Sequence, residues 1–184
     1  MTKLHSLQRL APTLLLLLGA LWIPLSALEP QAASEAQAAP FAGFYAPDFS
    51  LESADGEIIN LSDLRGQPVL VNLWASWCGP CRAEMPAMQR VYERYQDQGL
   101  VILAVNATNQ DSRAEATAFY DALGLSYPLL FDADGAVSNA YQLRALPSSF
   151  FIRPDGRIQE VVIGGPMAEA LLIIRVEALL SEAP

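Results

Sequence analysis

Trp74-Ala75-Ser76-Trp77-Cys78-Gly79-Pro80-Cys81-Arg82-Ala83-Glu84-Met85-Pro86 contains both cysteines of the 184-residue chain. Immediately upstream, Val69-Leu70-Val71-Asn72-Leu73-Trp74 is apolar but for one residue and reads as a buried strand. Downstream, Met85, Met88, Val91, Tyr92 and Tyr95 recur at steps of three and four, the period of a helix with one buried face. Cys78 therefore belongs where a strand ends and a helix begins. The first turn of a helix offers unpaired backbone N–H groups and the positive end of the macrodipole, and both favour a thiolate. The spacing predicts an acidic, exposed Cys78 and a sheltered Cys81 one turn on, close enough for a disulfide. Gly79 permits the tight turn, and Pro80 presets a helical φ where no N–H is needed.

Other uses of a C-x-x-C pair fit poorly. Tetrahedral zinc needs four ligands, and the chain has no third cysteine and only His5, near its N-terminus. A purely structural disulfide across so short a loop would constrain little of the unfolded chain. A redox-active pair is the remaining reading, with neither metal nor cofactor expected.

Lys3 and Arg9 come before an uncharged apolar run from Leu10 to Leu28, the pattern of an export signal or membrane anchor. The run is slightly short of the roughly 20 residues that span a bilayer, Pro12 and Pro24 interrupt it, and no clean A-x-A triplet ends it. A retained anchor is the preferred reading, and the charge bias puts the chain beyond Leu28 outside the cytoplasm. From Glu29 to Pro47 the composition turns to Ala, Gln, Pro and Glu without periodicity, as in a flexible linker. The expected organisation is signal or anchor over 1–28, linker over 29–47 and one domain over 48–184, with Phe41, Phe44 and Tyr45 packing on the domain's edge.

Beyond Leu28 the chain has nine arginines, no lysine and all twenty acidic residues, a net charge of −11. That excludes P-loop and Schiff-base chemistry and any basic face for nucleic acid. The charge itself reads as solubility.

The remaining elements are read from local pattern. Asp48–Glu52 and Glu57–Asn60 flank Asp55-Gly56 as a hairpin. Asn60 or Ser62 caps a short helical turn that Gly66 ends. Residues 69 to 106 form a strand, helix, strand unit with parallel strands and a right-handed crossover, and Pro86 should kink the helix. A helix over Ser112–Leu123, a strand over Pro128–Phe131, a short helix over Ala136–Tyr141, a hairpin of Ser148–Ile152 with Ile158–Ile163, and a helix over Met167–Leu180 complete an α/β chain.

Trp77-Cys78-Gly79-Pro80-Cys81 resembles the active-site motif of thioredoxins. Ala46-Pro47-Asp48-Phe49, Leu61-Ser62-Asp63-Leu64-Arg65-Gly66, Val71-Asn72-Leu73-Trp74, Glu84-Met85-Pro86 and Leu146-Pro147-Ser148-Ser149-Phe150 resemble the exported TlpA/ResA-like, redoxin-related branch, over roughly residues 46 to 180. The resemblance implies a thioredoxin fold, with a central mixed sheet flanked by helices and an N-terminal β-hairpin extension. It implies a thiol-disulfide oxidoreductase in which Cys78 attacks and Cys81 resolves. Pro147, by itself a strand-start proline, matches a cis-proline facing the dithiol, which leaves the backbone of Leu146 free to pair with an extended client. Trp77, Gly79 and Pro80 complete the implied client-binding surface.

Periodicity alone makes Glu84 a solvated helix residue, whereas the resemblance makes it the carboxylate that takes the Cys81 proton. Asn72 departs from thioredoxin, which has a buried aspartate six residues before the first cysteine, so the role falls to Glu84. The implied partners are protein disulfides and a membrane thiol-transfer protein as electron donor, with cytochrome c maturation the commonest client pathway. A monomer on the periplasmic side of the membrane is expected. A disulfide oxidase or isomerase differs only in reduction potential. A thiol peroxidase shares Ala46-Pro47-Asp48-Phe49 but has Thr where Ala75 stands, before a lone cysteine. A Cu(I) chaperone is disfavoured by the absence of histidine in the domain and of a methionine cluster.

Overall fold

Residues 38–181 are described by a computed structural model of the chain. Strands β1 (Ser50–Glu52) and β2 (Ile58–Asn60) pair antiparallel in the expected small hairpin. Then come β3 (Val69–Trp74), helix α1 (Gly79–Tyr95), β4 (Val101–Asn106), α2 (Arg113–Ala122), β5 (Leu129–Phe131), α3 (Ala136–Ala140), β6 (Ser148–Ile152), β7 (Ile158–Ile163) and α4 (Glu169–Leu180). The larger sheet has the order β5-β4-β3-β6-β7, parallel from β3 to β5 and antiparallel across β3-β6 and β6-β7. This is the expected mixed sheet, and β3, buried along its whole length, is its middle strand.

The period of two along β3 decides what faces the site. Leu70 and Trp74 pack in one layer with Met85, Met88 and Val91 of α1, Ala116 of α2 and Leu172 and Val176 of α4. Val69, Val71 and Leu73 point the other way, onto Phe49, Leu61, Val137, Tyr141 and Phe150. Asn72 lies between Leu70 and Trp74, so alternation turns a polar amide toward α1. Helix α1 buries Cys81, Glu84, Met85, Met88, Val91 and Tyr95, a stripe at helical spacing. It continues through Pro86 to Tyr95, so the proline does not end it.

Two local expectations need correction. Of the expected linker over 29–47, residues 38–47 lie within the described residues and are paired with the domain. The N–H of Gly43 donates to Ile158, that of Ile158 to Phe44 and that of Ala46 to Gly156. The Tyr45 ring packs under Arg157, but Phe41 and Phe44 stay exposed, edge-to-face with each other. The turn Leu61–Leu64 is not capped by the Asn60 or Ser62 side chain. Instead, Asp48 Oδ1 accepts from the Ser62 N–H at 2.9 Å, from fourteen residues upstream. The run over 10–28 lies outside the described residues, among which no helix is long and apolar enough to cross a membrane.

Candidate active site

Cys78 is the N-cap of α1, with an extended backbone (φ −78°, ψ 107°), and its Sγ accepts from the Cys81 N–H at 3.2 Å. The helix thus aims a backbone donor at the first sulfur, as the strand-to-helix reading predicts. Cys78 and Cys81 form a disulfide, with Cα atoms 5.3 Å apart. In this form Cys78 is only 4% exposed and Cys81 is fully buried, so the expected exposure of Cys78 does not hold. The physical reason is a facing wall, Leu143 to Leu146, which closes with Trp77, Cys78 and Pro80 around a cleft of about 320 Å³. Cys78 lines that cleft and Cys81 does not.

Trp77, Gly79, Pro80 and Leu146 also line the cleft. Trp77 is 59% exposed, with its indole N–H donating to the Gln110 carbonyl at 3.0 Å. The Leu146–Pro147 bond is cis, as the resemblance implies.

Glu84 lies one turn beyond Cys81 and is 1% exposed, so the reading of a solvated helix residue is overturned. Its Oε1 accepts from Asn72 Nδ2 at 3.0 Å and its Oε2 from the Met167 N–H at 2.9 Å. The same Asn72 Nδ2 donates to Ser149 Oγ at 2.9 Å. Burial pushes the Glu84 carboxyl above its ordinary range, and the two donors offset this only in part. Asn72 Oδ1 is buried with no partner among the described residues. A reversed amide would offer that oxygen to a protonated Glu84, so Asn72 can serve either state of the acid. Gly165 lies directly against Glu84 and Pro147. A methyl added there would come within 2.7 Å of the Pro147 ring and 2.9 Å of Glu84 Oε2.

Sequence reasoning missed a second carboxylate. Asp111 accepts from the Ser76 N–H (2.6 Å), Ser76 Oγ (2.7 Å), Asn106 Nδ2 (2.7 Å) and the Ser112 N–H (2.8 Å). It ties the loop after β4 to the loop that presents Trp77 and Cys78. Burial works against its charge, but the four hydrogen bonds outweigh it and hold the carboxyl below the usual range. Its ties to Ser76 span 35 residues, and no local pattern marks them.

Similarity to known proteins falls on the same residues. The AhpC/TSA family model matches residues 42–161. The thiol-disulfide oxidoreductase ResA of Oceanobacillus iheyensis is 38% identical over 76% of this chain and 71% of its own. The thioredoxin-like protein YneN of Bacillus subtilis is 40% identical over 66% and 71% respectively. Among solved structures, a protein assigned as the thiol:disulfide interchange protein DsbE of Chlorobium tepidum superposes with a TM-score of 0.71 at 31% identity, over 76% of this chain and 98% of that one. With a C-x-x-C disulfide at a helix N-terminus, a cis Leu146–Pro147 bond whose leucine lines the same cleft as Cys78, and these relatives, the chain belongs to the AhpC/TSA family and, within it, to the ResA-like thiol-disulfide oxidoreductases.

Proposed function

We propose that this chain reduces disulfides of exported proteins, with Cys78 as nucleophile and Cys81 as resolving thiol. The observation that carries the reading is the asymmetry of the pair: Cys78 lines the cleft and its Sγ receives a helix N–H, while Cys81 is fully buried, one turn before a buried carboxyl.

In the reduced protein the Cys78 thiolate attacks one sulfur of a client disulfide. A Cys78–client bond forms, and the client's other sulfur leaves as a thiolate and takes up a proton. Cys81 gives its proton to Glu84, whose carboxylate burial makes a stronger proton acceptor than an ordinary one, or to water. The Cys81 thiolate then attacks Cys78 Sγ and expels the second client thiolate, so two electrons pass from the dithiol to the client. The client segment lies across Trp77, Gly79 and Pro80 and beside Pro147. Its backbone pairs with that of Leu146, which has no backbone hydrogen bond among the described residues.

The reset comes from a membrane thiol-transfer protein, because an oxidising compartment supplies no reductant of its own. The N-terminal run holds the domain, as a monomer, on the periplasmic side. We place the clients in cytochrome c maturation, the pathway that the TlpA/ResA-like resemblance implies.

The test is reduction of a protein disulfide by the purified chain. Cys78→Ser abolishes it, and Cys81→Ser leaves the client attached to Cys78. Reduction that survives Cys78→Ser contradicts the assignment.

A further inference from the structure

The domain is acidic overall, and its few cations are occupied. Arg90 pairs with Glu169, Arg113 with Glu52, Arg153 and Arg157 with Asp155, and Arg175 with Glu160. Arg65, Arg82 and Arg94 lie over the rings of Tyr45, Phe119 and Tyr95. Arg144 alone among the arginines of the described residues has neither a carboxylate nor a ring. It is exposed, two residues before Leu146 and three before Pro147, on the wall of the cleft that faces Cys78.

Arg144 also lines a second concavity. A groove of about 360 Å³, largely apolar, runs on from it between Phe41, Tyr141, Phe150 and Ile163. The cleft around Cys78 has no acidic lining residue, and the groove's one carboxylate, Glu160, is neutralised by Arg175 at 2.9 Å. An unpaired guanidinium therefore stands at the junction of the dithiol cleft and an apolar groove.

We propose that Arg144 is a specificity-determining residue that recognises an acidic side chain on the client, adjacent to the client's reactive cysteine, while apolar client residues beyond it occupy the groove. This rests on the reading of Cys78 as the client-reactive sulfur and extends it to a substrate class: extended segments bearing an acidic residue next to cysteine, followed by large apolar ones. The part of the chain beyond Leu28 carries a net charge of −11, so long-range steering alone would favour cationic partners, the opposite preference from Arg144. That opposition makes the proposal decidable.

The experiment uses the full chain and three synthetic peptides, identical except for Glu, Gln or Lys beside the cysteine and each followed by two large apolar residues. The readout is the rate of mixed-disulfide formation with Cys78. It is taken in both directions, reduced protein with peptide disulfide and oxidised protein with peptide thiol, since both pass through the same Cys78–peptide bond.

The expected order is Glu over Gln over Lys, with about a three- to fivefold Glu to Gln ratio, as for a partly exposed ion pair. The ratio should fall as salt rises. Arg144→Ala levels the series, and Arg144→Glu reverses it. A wild-type order of Lys over Gln over Glu, no order at all, or a Glu preference that survives Arg144→Ala overturns the proposal. If the pair proves to be an oxidant, the reductase reading fails, while the Glu preference in the oxidised direction still decides this one. If no mixed disulfide forms in either direction, both fall.

Discussion

Asn72 of the central strand and Glu84 of the active-site helix meet at 3.0 Å, amide to carboxylate, beneath the cis-proline. The alternation of β3 and the turn of α1 bring them together on one buried face, so the carboxylate one turn beyond Cys81 is held by a neutral donor. Thioredoxin-like proteins with an aspartate on that strand place the acid on the sheet, and here it lies on the helix. Its burial makes both stability and client release depend on pH.

Because burial raises the Glu84 pKa, the protonated acid is the form that favours the fold. Its contribution is fully present below the ordinary carboxylate range and is lost as pH rises through the raised value. Glu84→Gln should therefore melt like the parent in acid and increasingly above it through that window, then at a constant offset. Thermal melts from acid to neutral pH measure this. The same variant should slow the Cys81-dependent release of client by about a hundredfold, the lower end for a positioned base. Stopped-flow release of a labelled client reads that step apart from the first attack.

Asn72→Asp would put a second carboxyl about 3 Å from the first. Two such groups cannot both ionise there, so they titrate as a pair with one proton retained. Relative to the parent, the folded state should lose on the order of 3 kcal/mol as rising pH forces both carboxyls to charge. Denaturant curves at several pH values test it, and a pH-independent difference would count against the contact.

Asp111 is expected to behave in the opposite sense. Its depressed pKa gives stability that is present above the ordinary carboxylate range and lost as pH falls through the lowered value. Asp111→Asn should cost about 2 kcal/mol at neutral pH, since the lost hydrogen bonds are to a charged group, and the gap should close in strong acid. Freed of this tie, the Trp77 loop should also show altered tryptophan fluorescence at neutral pH.

Gly165→Ala forces a methyl against the Pro147 ring and the Glu84 carboxylate. The expected cost is about 1–3 kcal/mol, typical of overpacking, together with slower turnover because both contacts belong to the site. At neighbouring Gly164 a methyl would meet nothing within 4 Å, though φ is +85°, so Gly164→Ala separates backbone strain from crowding.

Much of this was legible in the sequence. β3 announces itself as an apolar run, α1 by the Met85, Met88, Val91 and Tyr95 stripe, and the hairpins by Asp55-Gly56 and Asp155-Gly156. The burial of Glu84 was present in the same stripe, since Cys81, Glu84, Met85 and Met88 share a helical face, but a glutamate's usual preference for water masked it. Other features carry no local signature. Residues 38–47 attach through backbone groups of Gly43, Phe44 and Ala46, which need no side-chain pattern. The Asp111 clamp and the close approach of Gly165 depend on residues brought together only by the completed sheet. The low exposure of Cys78 comes from a wall more than sixty residues away in the chain.

The direction of electron flow is the centre of the account, and the equilibrium reduction potential of the Cys78–Cys81 pair tests it most directly. Titration of the full chain against a redox buffer should give a value near or below about −250 mV, close to that of thioredoxin and fit for a reductase supplied from the cytoplasm. A value near about −120 mV would mark a disulfide donor and contradict the reductase assignment.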